Sequence, residues 1–233
     1  GDGNGKSPSE DTNVLFFADA KKKTSERNAV EKETGIRFPV ILDTGKNDKD
    51  SNLRLISAGC VSRRPWWKPW KKINEYAVGL YVDATAAKAA VKAKEKGRGK
   101  GRVNEKQEAY EILMDEKEKM KRVIRIVLAT ENDSHRFTEL INDRIEEKMA
   151  KKSFVDLAFL ELWRNWMVNQ GGYKQRLPKG LEVRFTWDVD GSFKTEFYRK
   201  NKMLLAKNLE KPVLSWAVFE AFLGSSPVSK QVA

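Results

Sequence analysis

The 233-residue chain contains a single cysteine, Cys60, and a single histidine, His135. One thiol cannot close an intramolecular disulfide, and one imidazole cannot build the clustered sites that hold zinc or most transition metals. Disulfide scaffolding and metal chemistry are therefore not expected, and no cofactor is implied. Cys60 follows Gly59 in an apolar stretch without a neighbouring histidine, which is the setting of a small buried thiol rather than a nucleophile. Long apolar runs are missing too. Nothing approaches the roughly 18 residues that a helical membrane span needs, and no signal-peptide pattern opens the chain. The expectation is a soluble protein.

Negative charge is also in short supply. Lysine and arginine number 45 against 33 acidic residues, a formal charge of +12 with an isoelectric point near 9.6. Such an excess calls for a partner or surface of opposite sign: nucleic acid, anionic lipid or an acidic protein complex. The cations concentrate in 63–72, 88–106 and 117–125, with acidic residues interleaved along the chain. Mixed charge of this kind suits a solvated surface with basic patches better than a continuous phosphate groove.

Core material is ample. Hydrophobic residues make up 40% of the chain, with seven tryptophans and eleven phenylalanines, enough for one large core. Residues 1–13 are polar and without apolar periodicity, the composition of an extension that does not fold alone; 14–17 could add a short edge strand. Strands are expected at 38–42 and 53–57 around a turn at 43–50, and at 73–82. An alanine- and lysine-rich helix over 84–96 is broken by Gly97, Gly99 and Gly101, which open a basic loop at 97–102. A charged helix over 104–120 leads into a buried strand at 122–129. Asp133 or Ser134 can cap the next helix, whose Phe137, Leu140, Ile141, Ile145 and Met149 share one face, and Ser153 can cap another. Strands at 181–187 and 193–198 flank Asp190-Gly191, a pair suited to a two-residue turn with both φ angles positive. Pro212 and Gly224 bracket a final helix. Strands, helices, strands and helix in that order predict an α+β domain, with helices layered on a largely antiparallel sheet.

The most informative segment is 58–83, AGCVSRRPWWKPWKKINEYAVGLYVD. Its strand from Tyr76 to Asp83 preceded by Arg63 and Arg64, the 181–198 hairpin, and the 212–229 helix ending in Leu-Gly followed by Pro-Val-Ser together resemble the chalcone isomerase-like superfamily over roughly 35–229. That resemblance implies an α+β fold whose largely antiparallel sheet is covered on one face by helices. It divides the chain into an extension (1–34), the domain (35–229) with basic insertions at 63–72 and 88–106, and a tail (230–233).

The resemblance also implies where a site would lie. The family's enzymes use an arginine before the cleft strand, a threonine on it, a tyrosine and an asparagine on a helix, and a later threonine. The matching positions here are Tyr76 for the strand threonine, Phe137 for the tyrosine, Arg144 for the asparagine and Leu204 for the later threonine. Phenylalanine and leucine can neither position a ketone nor order a water, so chalcone isomerase activity is not expected. In the fatty-acid-binding branch an arginine and a tyrosine hold the ligand carboxylate. Arg63 or Arg64 with Tyr76 resembles that pair, and Phe137, Leu140 and Leu204 would line the acyl pocket.

The insert between the two strand segments has no counterpart in the family. Trp66, Trp67 and Trp70 alternate with Lys68, Lys71 and Lys72 beside the two arginines. Tryptophan and cations can stack bases, enter a lipid interface or dock on a protein. No nucleic-acid-binding motif accompanies them, and no long basic amphipathic helix points to a membrane surface. The expectation is a non-enzymatic, linker-like docking subunit that binds an acidic protein assembly, such as a photosynthetic antenna complex in the plastid stroma. The alternative is a plastid fatty-acid-binding protein.

Overall fold

The computed structural model describes residues 28–43, 52–64, 66–96, 105–149, 152–169 and 176–224. The expectations for the polar extension before Asn28, the edge strand at 14–17, the basic loop at 97–102 and the tail lie outside these residues. Among them, short β1 (Asn28–Val30) pairs with β2 (Arg37–Pro39), so residues 28–34 already belong to the folded body. The main sheet has six antiparallel strands: β3 (Leu53–Arg63), β4 (Ile73–Asp83), β5 (Arg122–Leu128), β8 (Glu182–Trp187), β9 (Phe193–Arg199) and β10 (Lys202–Leu209). Their spatial order is β10-β9-β8-β5-β4-β3, and the two-residue strands β6 (Asn132–Asp133) and β7 (Arg176–Leu177) pair separately.

Alternation of side chains along a strand gives the sheet two distinct faces. On one face Val78, Ile126, Val183 and Phe197 form a row, and Leu80, Ile124, Phe185 and Thr195 form the next. Helices α3 (Ser134–Met149), α4 (Phe154–Val168) and α5 (Pro212–Leu223) cover these rows in the main core. Trp163 of α4 is fixed there by its indole N–H, which donates to Thr195 Oγ1 at 3.0 Å. Helices α1 (Ala84–Lys96) and α2 (Glu105–Met114) close a smaller cluster against Val82. The α+β class, the antiparallel sheet and its one helical face all agree with the expectation.

The opposite face is covered by the segment that includes β2. Phe38 packs there with Leu42, Leu53, Ala77, Tyr81, Val123 and Val127. Gly79 makes room for it, since a Cβ at that position would lie 2.5 Å from Phe38 Cδ1. The same face carries a buried polar row. Glu182 accepts from Arg125 at 2.6 Å and from Arg184 at 2.5 Å, while the two guanidiniums and Tyr81 donate to the carbonyls of Arg37, Asp43 and Pro39. Burial alone would raise the Glu182 pKa; its two arginines instead hold the carboxyl below the usual range.

Two turns differ from expectation. Only Gly191 of the Asp190-Gly191 pair has positive φ, +86°, and the connection from Asp188 to Ser192 is a longer turn closed by Gly191 N–H to Asp188 O. The two-residue turn with both φ positive is instead Lys200-Asn201, at 49° and 62°, and it leads into β10, a strand not expected from the sequence. β10 is an edge strand exposed along most of its length, so it lacks the apolar alternation by which strands are recognised. Gly224 ends α5 without a left-handed conformation; a Cβ there would meet Glu220 Oε1 at 2.3 Å and its carbonyl at 2.6 Å.

Gly79→Ala should lower the urea midpoint, at a cost of about 1–3 kcal/mol for the overpacked Phe38 contact. Placed on a Phe38→Ala background, the same change should cost much less, and additive costs in a double-mutant cycle would show that this contact is not the reason for the glycine.

Candidate carboxylate site

The loop end of the β3–β4 hairpin, where the insert joins the two strands, carries Arg63 and Tyr76 together with two other residues. Val61 faces Tyr76 across the ladder, and the register shifts between Val61 and Ser62, which leaves Glu75 as the extra residue of a bulge in β4. Arg63, two residues beyond Val61, returns to the helix-facing side. Its Nε stands 2.5 Å from Glu75 Oε1, an ion-pair contact off the hydrogen-bond direction. Arg136, in the first turn of α3, reaches the same oxygen at 3.1 Å. Asp133 positions that turn by accepting the Arg136 N–H at 3.0 Å, the cap expected from the sequence. Glu75 is 3% exposed, while both arginines keep one side toward solvent.

Tyr76 lies just inside this corner and is fully buried. Its ring meets Phe137 edge-to-face at 5.6 Å, yet its hydroxyl has no hydrogen-bond partner. Burial and the neighbouring Glu75 charge push the phenol pKa up, so the group stays a neutral donor at physiological pH. An unpaired buried hydroxyl costs about 1–3 kcal/mol. A phenol that can donate, one residue from the carboxylate that two guanidiniums share, is a group chemically suited to a carboxylate.

The remaining predicted residues separate into two groups. Leu140 is half-buried on α3, one turn from Phe137. Leu204, expected in the pocket, instead sits at a bulge of β10, 37% exposed. Three strands separate β10 from β4, about 19 Å at the usual strand spacing. Arg144 pairs with Glu147 on the outer side of α3 and is also away from the corner. Arg64 is exposed, so of the two arginines it is Arg63 that reaches Glu75. Glu75 and Arg136 were not singled out from the sequence. A carboxylate inside an otherwise apolar strand was the available signal, because such groups are buried only when paired.

The tryptophan insert projects outward. Trp66 is 87% exposed, Trp70 79% and Trp67 55%, with Lys68 and Lys71 exposed beside them. Lys72 is held by Glu33, which also accepts from the Cys60 thiol at 3.3 Å. Burial, that hydrogen bond and the nearby carboxylates push the Cys60 pKa up to about 12, which leaves no thiolate at neutral pH. Among the described residues no group of His, Cys, Asp and Glu could hold a metal ion, and no helix is long and apolar enough to cross a membrane.

The chain has a chalcone isomerase-like α+β fold. Among solved structures the chain is similar to an Arabidopsis thaliana fatty-acid-binding protein, with a TM-score of 0.63 and 18% identity over 88% of this chain and 93% of that one. No protein-family model matches the sequence, and no curated protein does.

With its pKa near 12, Cys60 should react with a thiol-specific disulfide reagent at pH 8 at least about tenfold more slowly than an unstructured cysteine of pKa about 8.5. In urea above the unfolding transition the difference should vanish. Equal rates in the folded and unfolded protein would show that Cys60 is accessible and ionised.

Proposed function

We propose that the protein is a non-catalytic binder of a carboxylate-bearing acyl ligand, a fatty acid, with the head group held at the β3–β4 corner by Arg63 and Tyr76. The observation that carries this reading is the fully buried Tyr76 hydroxyl, which has no protein partner and belongs to the residue next to Glu75, the carboxylate that Arg63 and Arg136 share. The likeness to a fatty-acid-binding protein at the level of the fold supports it. Glu75 acts as an internal competitor: its carboxylate neutralises Arg63 and Arg136 while the site is empty, and it must yield at least one of them to the ligand. The acyl chain would run along α3 past Phe137 and Leu140. Catalysis of the chalcone isomerase type has no support at this corner, since Phe137 offers no hydroxyl and Arg144 lies elsewhere.

A second reading is favoured by the exposure of the tryptophans. Three indoles in water among cations make an interface anchor, and the insert would dock on an acidic protein surface. The two readings use different sides of the same hairpin and are compatible.

Binding can be followed with cis-parinaric acid and competition by unlabelled fatty acid or fatty alcohol. The acid should displace the probe and the alcohol should do so poorly. Arg63→Gln should weaken binding by about 10- to 100-fold, the range for a charged hydrogen bond, and Glu75→Gln should tighten it. Tyr76→Phe should weaken binding by about threefold or more and at the same time raise the unfolding midpoint, because it removes a buried unpaired hydroxyl. Equal competition by acid and alcohol, or affinity unchanged in both Arg63→Gln and Tyr76→Phe, would exclude a carboxylate site here.

A further inference from the structure

A strongly acidic groove runs between α3 and α4 on this otherwise basic chain. It is an open groove of about 690 Å³ lined by Asp143, Glu146, Glu147 and Glu161 with Leu157 and Leu160. Arg144 and Arg164 reach Glu147 and Glu161 at 3.5 and 3.6 Å, so four carboxylates face two guanidiniums. Asn142 donates to Glu146 at 2.6 Å, which helps to hold that carboxylate in place.

The groove has an apolar rim. Leu160, Trp163 and Met167 turn α4 toward the core, yet the helix carries a second apolar stripe on its outer side. Leu157, 38% exposed, lines the groove and Phe154, 86% exposed, lies one turn before it, while Leu162 (58%) and Val155 (54%) are exposed farther round the helix. Large side chains grouped on one solvent face beside a concentration of charge mark a contact surface.

The insert at 64–72 is the complement of this surface in both respects. It presents exposed Arg64, Lys68 and Lys71 with exposed Trp66, Trp67 and Trp70, against carboxylates with exposed phenylalanine and leucine. The two surfaces do not meet within one molecule, because the indoles remain in solvent. We propose that the tryptophan insert of one copy seats in the α3–α4 groove of a second copy, so that the chain self-associates. This rests on the docking reading of the insert and identifies its acidic partner as another molecule of the same chain.

The placement favours a closed pair. The insert leaves the sheet at Arg63, next to Arg136, and Arg136, Asp143 and Glu147 follow one another at i, i+7 and i+11 on one face of α3. The groove therefore begins about 10 Å along the helix from the root of the insert. Two copies laid antiparallel across this face exchange inserts reciprocally. Each then fills the other's groove, and the contact closes at two molecules.

The test is a charge exchange on the purified full chain, read by light-scattering mass on gel filtration. In about 0.05 M salt the wild type should approach twice the 26.7 kDa chain mass as its concentration rises, and it should return to the monomer mass in about 0.5 M salt as the charges are screened. The insert variant Lys68→Glu with Lys71→Glu and the groove variant Asp143→Lys with Glu147→Lys alter exposed residues and should each run as monomers with unchanged circular dichroism. Mixed in equal amounts they should pair again, since the acidic insert of one meets the basic groove of the other. A wild type that stays monomeric in low salt overturns the proposal, even if the insert captures some other acidic protein, a result that would leave the docking reading standing. Variants that associate as the wild type does, or that fail to pair when mixed, overturn it as well.

Discussion

Burial of β4 on both faces is the constraint on which the rest of the molecule depends. Every residue from Glu75 to Val82 is buried, with helices on one side and the segment carrying Phe38 on the other. A strand in this position can offer no unpaired polar group along its length without a large desolvation cost. Gly79 is required because two layers must approach the same strand, and the aromatic ring of Phe38 takes the place of its side chain. On the helical face, polar chemistry is thereby confined to the end of the strand. There the bulge at Glu75 turns a carboxylate toward Arg63 and Arg136, and Tyr76 carries the one hydroxyl that β4 turns toward the helical core.

Acidic residues are the scarcer charge, and the fold places several of them where they join elements. Glu75 connects β4 to Arg63 of β3 and Arg136 of α3. Glu182 draws Arg125 and Arg184 together under the segment at 37–43. Glu220 of α5 accepts from Tyr110 of α2 and from Lys148 of α3. Each is buried and shared between two partners, the condition under which an interior charge is tolerated. On a chain of formal charge +12 the acidic α3–α4 groove is a local reversal, and the insert on the same chain offers a surface of matching character.

The site was partly legible before the fold was known. Arg63 or Arg64 with Tyr76 was expected from the resemblance to the fatty-acid-binding branch, and the ladder register brings Arg63 and Tyr76 to one face. Arg63 and Arg64 could not be told apart, because adjacent residues on a strand point to opposite sides and a bulge between them and Tyr76 changes the count. Leu204 was placed wrongly for a related reason. The stretch before α5 carries no apolar alternation, so β10 was invisible and a residue on an exposed edge was assigned to a pocket. The Asp190-Gly191 turn shows the same limit: the dipeptide identified a reversal of the chain, whereas its length was decided by how β8 and β9 pack.

What the sequence by itself determined are the features governed by local chemistry. These include the helices with their apolar periodicity, the Ser153 cap and the pair Asp133-Ser134 from which the α3 cap is drawn, the strongly apolar strands, and the insert whose cations resist burial. Tertiary structure alone decided which polar groups converge. Glu75 and Arg136 are far apart in sequence and meet only because a bulge in β4 lies under the first turn of α3. The unpaired state of the Tyr76 hydroxyl was equally beyond sequence reading, since it depends on every group packed around it and not on any neighbour along the chain.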